Sequence, residues 1–160
     1  MLRRGDFSRL LQNSPSEIAL LGETVVWLGV ARLAILIIPF RWMIRALSLQ
    51  PTLQPTCAAG PAVPQLPGTS TRIAWAVCVV GERTPWQSSC LARALAATVM
   101  LRGRGIPSSM TLGVAKSSDG AGLDAHAWLT SGGLIVTGAG GHEKYQVIAR
   151  YAQSPRRLSD

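Results

Sequence analysis

The sequence predicts an α+β fold, and three observations predict it. Up to about residue 102, apolar residues recur at helical spacing. After Pro107 the spacing changes to alternation, with Met110, Leu112 and Val114 on one side. "LDAHAWLTSGGLIVTG" (123–138) then reads as two strands joined at Ser-Gly-Gly, the pattern of a hairpin. Helices followed by antiparallel strands fit a helix packed across a small antiparallel sheet.

Length and composition bound the rest. A chain of 160 residues, 48% hydrophobic and 15% charged, suits one domain with a real core and excludes global disorder. The formal net charge is +8, with Arg3, Arg4 and Arg9 near one end and Arg150, Arg156 and Arg157 near the other. That balance suits an acidic partner or an anionic membrane face. It does not name nucleic acid: no long Lys/Arg run and no aromatic-basic motif is present. The three cysteines, Cys57, Cys78 and Cys90, form no CxxC and no even-numbered framework, so a reducing, cytoplasmic setting is expected. "MLRRGDFSRLLQNSPSE" lacks a short apolar core with a cleavage site, so no signal peptide is read there.

The first element is "SEIALLGETVVWLGVARLAILIIPFRWMIRALSL" (16–49), the most hydrophobic part of the chain. Ser14 or Ser16 suits its cap, with Glu17 in the first turn. Between Val25 and Phe40 the only charge is Arg32; Pro39 breaks the run and Arg41 and Arg45 follow. Three placements compete: a helix of the domain, an interfacial membrane helix, and a true span. Residues 1–50 are taken as an N-terminal hydrophobic helical segment. "QPTLQPTCAAGPAVPQLPGTS" (50–70) holds five of the ten prolines, so 51–70 reads as a linker, and Cys57 as a linker thiol.

The core is expected over 71–152. "TRIAWAVCVVGER" (71–83) reads as a helix capped by Thr71, with Ile73, Ala76, Val77 and Val80 on one face and Cys78 packed in its core. A second helix runs from about Ser89 to Arg102. Ser88 or Ser89 caps it; Leu91, Leu95, Thr98, Val99 and Leu101 give its buried face; Gly103 and Gly105 stop it. "SSMTLGVAK" (108–116) and the hairpin follow, separated by the turn "SSDGAG". The end of the chain, "YAQSPRRLSD", reads as frayed, with 153–160 as tail.

One pair of residues carries chemistry. Cys90 falls in the first turn of its helix, where unpaired N–H groups and the helix dipole favour negative charge. His126 lies on the first strand of the hairpin and is the usual kind of base for such a thiol. No metal site is read, because Cys57, Cys78, Cys90, His126 and His142 lack zinc-ligand spacing. No cofactor is implied.

The stretches Cys90-Leu91, Leu101-Arg102 before Gly105-Ile106-Pro107, Gly113-Val114, and Ala125-His126-Ala127-Trp128 together resemble the leader-peptidase part of lasso-peptide B proteins, which are transglutaminase-like cysteine peptidases. "ARLAILIIPFRWMIR" is similar to that family's upstream segment, so the resemblance covers roughly 20–150. It implies a papain/transglutaminase-like core with the nucleophile helix packed on a small antiparallel sheet. It implies that Cys90 attacks one peptide bond of a precursor peptide, that His126 shuttles the proton, and that water resolves a thioester. It also implies a separate leader-recognition protein and an ATP-dependent lasso cyclase as partners.

A third catalytic group is not obvious. The strand after His126, "LIVTGAGG" (134–141), has no carboxylate where such sites place an Asp. Asp124, two residues before His126, shares its side of the strand; Glu143, Thr137 or a backbone carbonyl are the other options for holding the ring. The Cys90 N–H is the natural oxyanion donor, and Gln87, three residues upstream, is the candidate for a second. Trp86 and Trp128 read as walls or core, and His142 as a loop residue. The rival readings are acyl transfer to an amine by the same Cys-His chemistry, and a non-catalytic scaffold of the maturation complex.

Overall fold

The computed structural model describes residues 15–52, 68–84, 89–117 and 122–153. The first helix, α1, is Pro15–Ile37. It ends because Pro39 has no N–H to continue the ladder and disfavours helical backbone in the residue before it. Ile38 makes the last bond, its N–H donating to the Ala34 carbonyl at 2.7 Å. The chain restarts at once as α2, Phe40–Ala46, and then forms a short strand, β1, Leu49–Pro51.

Leu20, Thr24, Leu28 and Ala31 are buried along α1, spaced as one helical face. That face packs on two later helices, α3 (Thr69–Arg83) and α4 (Cys90–Gly103). The buried Thr24 hydroxyl donates to the Leu20 carbonyl at 2.7 Å and lies 3.7 Å from Met100 Sδ, so its polarity is satisfied inside the core. At the rim, Arg104 grips both carboxylate oxygens of Glu23, at 3.0 and 2.6 Å. The hydrophobic segment is therefore a layer of the domain, and the boundary expected at residue 50 runs through β1.

The α3 helix starts two residues before Thr71. Gly68, at φ +101°, turns the chain, and its carbonyl accepts from the Arg72 N–H at 2.8 Å. Ile73, Ala76, Val77 and Val80 are buried as their spacing predicts. Ser89 caps α4, its hydroxyl accepting from the Ala92 N–H at 3.3 Å. The buried set on α4 is wider than the one face expected. Ala92, Ala94, Leu95, Ala96, Ala97, Thr98, Met100 and Leu101 are all buried, while Leu91 and Val99 are half-buried. The reason is position: α4 lies between the sheet on one side and α1 and α3 on the other. Its alanines let both layers approach closely. Burial of a large side chain such as Leu101 stabilises by roughly 1.5–3 kcal/mol.

The sheet has five strands, all pairs antiparallel, in the order β1-β5-β2-β3-β4. These are β2 Ser109–Lys116, β3 Leu123–Ser131, β4 Leu134–Thr137 and β5 Gln146–Gln153. The hairpin turns at Gly132 and Gly133, both at positive φ (55° and 82°), the backbone a tight two-residue turn needs. The last strand corrects the reading of the tail: Tyr151, Ala152 and Gln153 are not frayed. They pair with β1 on one side, and Tyr151 and Ala152 pair with β2 on the other. Gln153 is tied twice to Ser108, by its N–H to the Ser108 carbonyl at 3.0 Å and by the Ser108 hydroxyl to its side-chain oxygen at 3.2 Å.

Candidate active site

Cys90 and His126, far apart in sequence, border one cavity of about 490 Å³. Ala74, Val77 and Cys78 of α3 form one wall, and Cys90 and Arg93 of α4 a second. His126 of β3, the end of β4 and the loop Gly138-Ala139-Gly140 close it.

Cys90 is at this cavity because Ser89 stops the chain and starts α4 there. The Ser89 hydroxyl takes the Ala92 N–H and its carbonyl takes the Arg93 N–H at 3.1 Å. Among the described residues the N–H of Cys90 is left uncommitted, as expected in a first helical turn. Gln87 and Trp86 lie outside the described residues, as does Cys57.

His126 is held by backbone rather than by a carboxylate. Its Nε2 lies 3.0 Å from the Gly138 carbonyl. A carbonyl only accepts, so Nε2 carries a proton, and in the neutral ring Nδ1 is then the nitrogen with the lone pair. The ring is stacked on Tyr145 at 4.9 Å between centroids and on Trp128 at 6.0 Å. Gly113, opposite His126 in the β2–β3 register, makes room for this stack. A Cβ there would lie 2.8 Å from Tyr145 Cβ and 3.0 Å from the Trp128 ring. Along β3, Ala127 and Leu129 join the core, and His126 and Trp128 alternate with them. Among the described residues no hydrogen bond joins the Cys90 thiol to the imidazole. Such contacts often tighten only once substrate is bound.

The other candidates are placed as follows. Asp124 is exposed on β3 opposite Ala115, and no side-chain hydrogen bond or ion pair joins it to the ring among the described residues. Glu143 is exposed and lies 3.3 Å from His142 Nδ1. His142 also donates from Nδ1 to the Ala139 carbonyl at 2.8 Å, which fixes the loop after Gly138. Thr137 lines the cavity with its hydroxyl buried and, among the described residues, unpartnered, and the Nε of Arg93 is in the same condition. Another nitrogen of Arg93 donates to the Gly81 carbonyl at 3.0 Å, tying α4 to the end of α3. Gly81 leaves room for this contact: a Cβ there would sit 2.7 Å from Arg93 Nε, so the Arg93 side chain would have to shift.

Sequence reasoning missed Arg93 and two further members of the cavity that bear on its chemistry. The first is Gly138, whose φ of +76° aims its carbonyl at His126; a Cβ would lie 2.5 Å from the Ala127 carbonyl oxygen. Its signal was the glycine directly after the strand "LIVT". The second is Cys78, expected in the core but exposed on the cavity wall. Partial burial pushes its thiol pKa up, and the Glu82 carboxylate 3.5 Å away adds to this. Of the two cysteines at the cavity, Cys78 is thus kept as thiol, and Cys90 has the helix terminus.

Among the described residues no group of three or more His, Cys, Asp or Glu is placed to hold a metal ion. No curated protein and no solved structure matches the chain. A family model described as the transglutaminase-like superfamily matches residues 34–150, from the last turn of α1 into β5. The match, the α+β layering and the cysteine at a helix start agree. The chain belongs to the transglutaminase-like superfamily, a cysteine-based catalytic fold whose members include peptidases and acyl transferases.

Proposed function

We propose that this chain is a cysteine peptidase that removes the leader from a lasso-peptide precursor. The observation that carries the reading is the cavity shared by Cys90 and His126, with the ring's Nε2 already engaged by Gly138. Cys90 Sγ attacks the scissile carbonyl and its proton passes to Nδ1 of His126. The carbonyl oxygen gathers charge against the Cys90 N–H at the start of α4. His126 then protonates the leaving amine, and a thioester remains on Cys90. Water, deprotonated by the same nitrogen, hydrolyses it. The Gly138 carbonyl takes the orienting part that a carboxylate has in other triads, without that group's negative charge.

In this reading a separate protein brings the leader, and an ATP-dependent cyclase takes the freed core peptide. The test is mass spectrometry of a cognate precursor and its recognition partner, incubated with wild type and with Cys90→Ala. Leader loss with wild type, and a rate at least ~10³-fold lower for the variant, is the expected result. Equal cleavage by both removes Cys90 as nucleophile. A leader product carrying an added amine instead of a free carboxylate makes the protein an acyl transferase. Intact precursor with both favours a scaffold, a reading to which the lack, among the described residues, of a thiol–imidazole hydrogen bond and of a carboxylate on the ring also lends weight.

A further inference from the structure

The outer face of α1 is the largest feature that the catalytic reading leaves unused. Opposite the buried Leu20–Thr24–Leu28–Ala31 face, the helix exposes a continuous apolar stripe from Ile18 through Val26 and Val30 to Leu33, Leu36 and Ile37. Of the three charged residues of α1, Glu17 lies off this stripe, while Glu23, which pairs with Arg104, and Arg32 stand at its two edges. A helix at a protein surface ordinarily turns a polar face to water. This one has a charge-free face along its whole length, and exposure rises toward its C-terminus: Leu33 59%, Leu36 66%, Ile37 76%.

Charge indicates what covers it. The most exposed apolar end runs directly into α2, where Arg41, Trp42 and Arg45 are all exposed. The Arg45 guanidinium lies 5.8 Å from the centroid of the Trp42 ring. An exposed tryptophan held beside cations, next to aliphatic side chains, is the make-up of a segment lying at the water–lipid boundary. Arg3, Arg4 and Arg9 stand just upstream of α1 in sequence, so both ends of the stripe have cations in the chain beside them. The net charge of +8 has the same sign.

We propose that the outer face of α1, together with Trp42, Arg41 and Arg45 of α2, docks the protein on an anionic lipid surface. The helix lies along the boundary rather than across it, because its opposite face is packed on α3 and α4. Apolar side chains enter the acyl edge, and the arginines meet lipid phosphates and anionic headgroups. The proposal is independent of the peptidase reading and is tested without any assay of activity.

The experiment is co-sedimentation of the full chain with large vesicles, either pure phosphatidylcholine or phosphatidylcholine with 30 mol% phosphatidylglycerol. Wild type is expected to partition onto the anionic vesicles and to leave them as salt is raised. Leu33→Asp with Ile37→Asp, both at exposed positions, is expected to weaken partition by roughly tenfold or more while keeping the wild-type circular dichroism. Arg41→Glu with Arg45→Glu is expected to remove the preference for anionic lipid. Ile148→Asp, equally exposed but on β5, is expected to bind like wild type. No partition of wild type onto anionic vesicles overturns the proposal. So does partition that the Leu33/Ile37 variant leaves unchanged. A dimer in lipid-free solution that this variant dissociates, without vesicle binding, assigns the stripe to a second copy of the chain.

Discussion

Gly138 shows how much one residue decides at the cavity. Its positive φ turns the carbonyl toward His126, and a side chain there would collide with Ala127 and Trp128. A left-handed backbone with no space for a Cβ is a position for glycine alone. If the carbonyl orients the imidazole, Gly138→Ala lowers kcat by roughly 10- to 100-fold with KM little changed. The check is steady-state kinetics on a cleavable precursor, with circular dichroism to confirm the fold; unchanged kcat removes Gly138 from the site. Asp124→Asn is the natural companion: Asp124 has no bond to the ring among the described residues, so this variant is expected to keep a kcat near wild type.

Between elements, the pair Glu23–Arg104 links α1 to the end of α4. The hydrogen bonds from Arg104, set against a smaller opposing effect of burial, hold the Glu23 carboxyl below the usual carboxylate range. Arg104 is correspondingly raised, first by the same bond. A carboxyl whose pKa is lowered in the folded state adds stability that is fully present above its unfolded pKa, about 4.3, and is lost as pH falls through the lower folded value. Both side chains are about one-third exposed (33% and 32%), so solvent screening limits the pair to no more than ~1 kcal/mol. Glu23→Gln should therefore lower the melting temperature by a few degrees at pH 7, and the difference from wild type should vanish near pH 3. Melting curves at the two pH values check this; an equal difference at both would mean that packing, not charge, holds the corner.

For the molecule as a whole, α1, α3, α4 and the sheet share one hydrophobic core. Leu28, fully buried on α1, is part of it. Leu28→Ala should cost about 2–5 kcal/mol through lost transfer energy and the cavity left behind. In a domain of this size that lowers the melting temperature by roughly 5–15 °C. Calorimetry should show one transition for both proteins, moved as a whole in the variant. A small early transition with the main one unmoved would mean that α1 is an appended segment after all.

The sequence by itself determined what depends on neighbours along the chain. Ser89 ahead of Cys90 starts a helix because a serine hydroxyl satisfies an orphan N–H. Gly132-Gly133 turns a hairpin because both residues accept positive φ. The 3.6-residue spacing of Ile73, Ala76, Val77 and Val80 marks a buried face. These local rules also placed Cys90 at a helix start and His126 on a strand. Only the tertiary structure decided what depends on distant partners. The "QVIARYAQ" of β5 becomes an inner strand because β1 and β2, far away in sequence, flank it. On α4, burial extends around the helix because two layers close on it. Cys78 leaves the core for a cavity wall, and His126 is oriented by a backbone carbonyl, which has no side chain to show itself in a sequence. The apolar residues of α1 were plain from the start. Which of them would face inward, and that the rest would be left exposed, was settled only when α3 and α4 claimed one side of the helix.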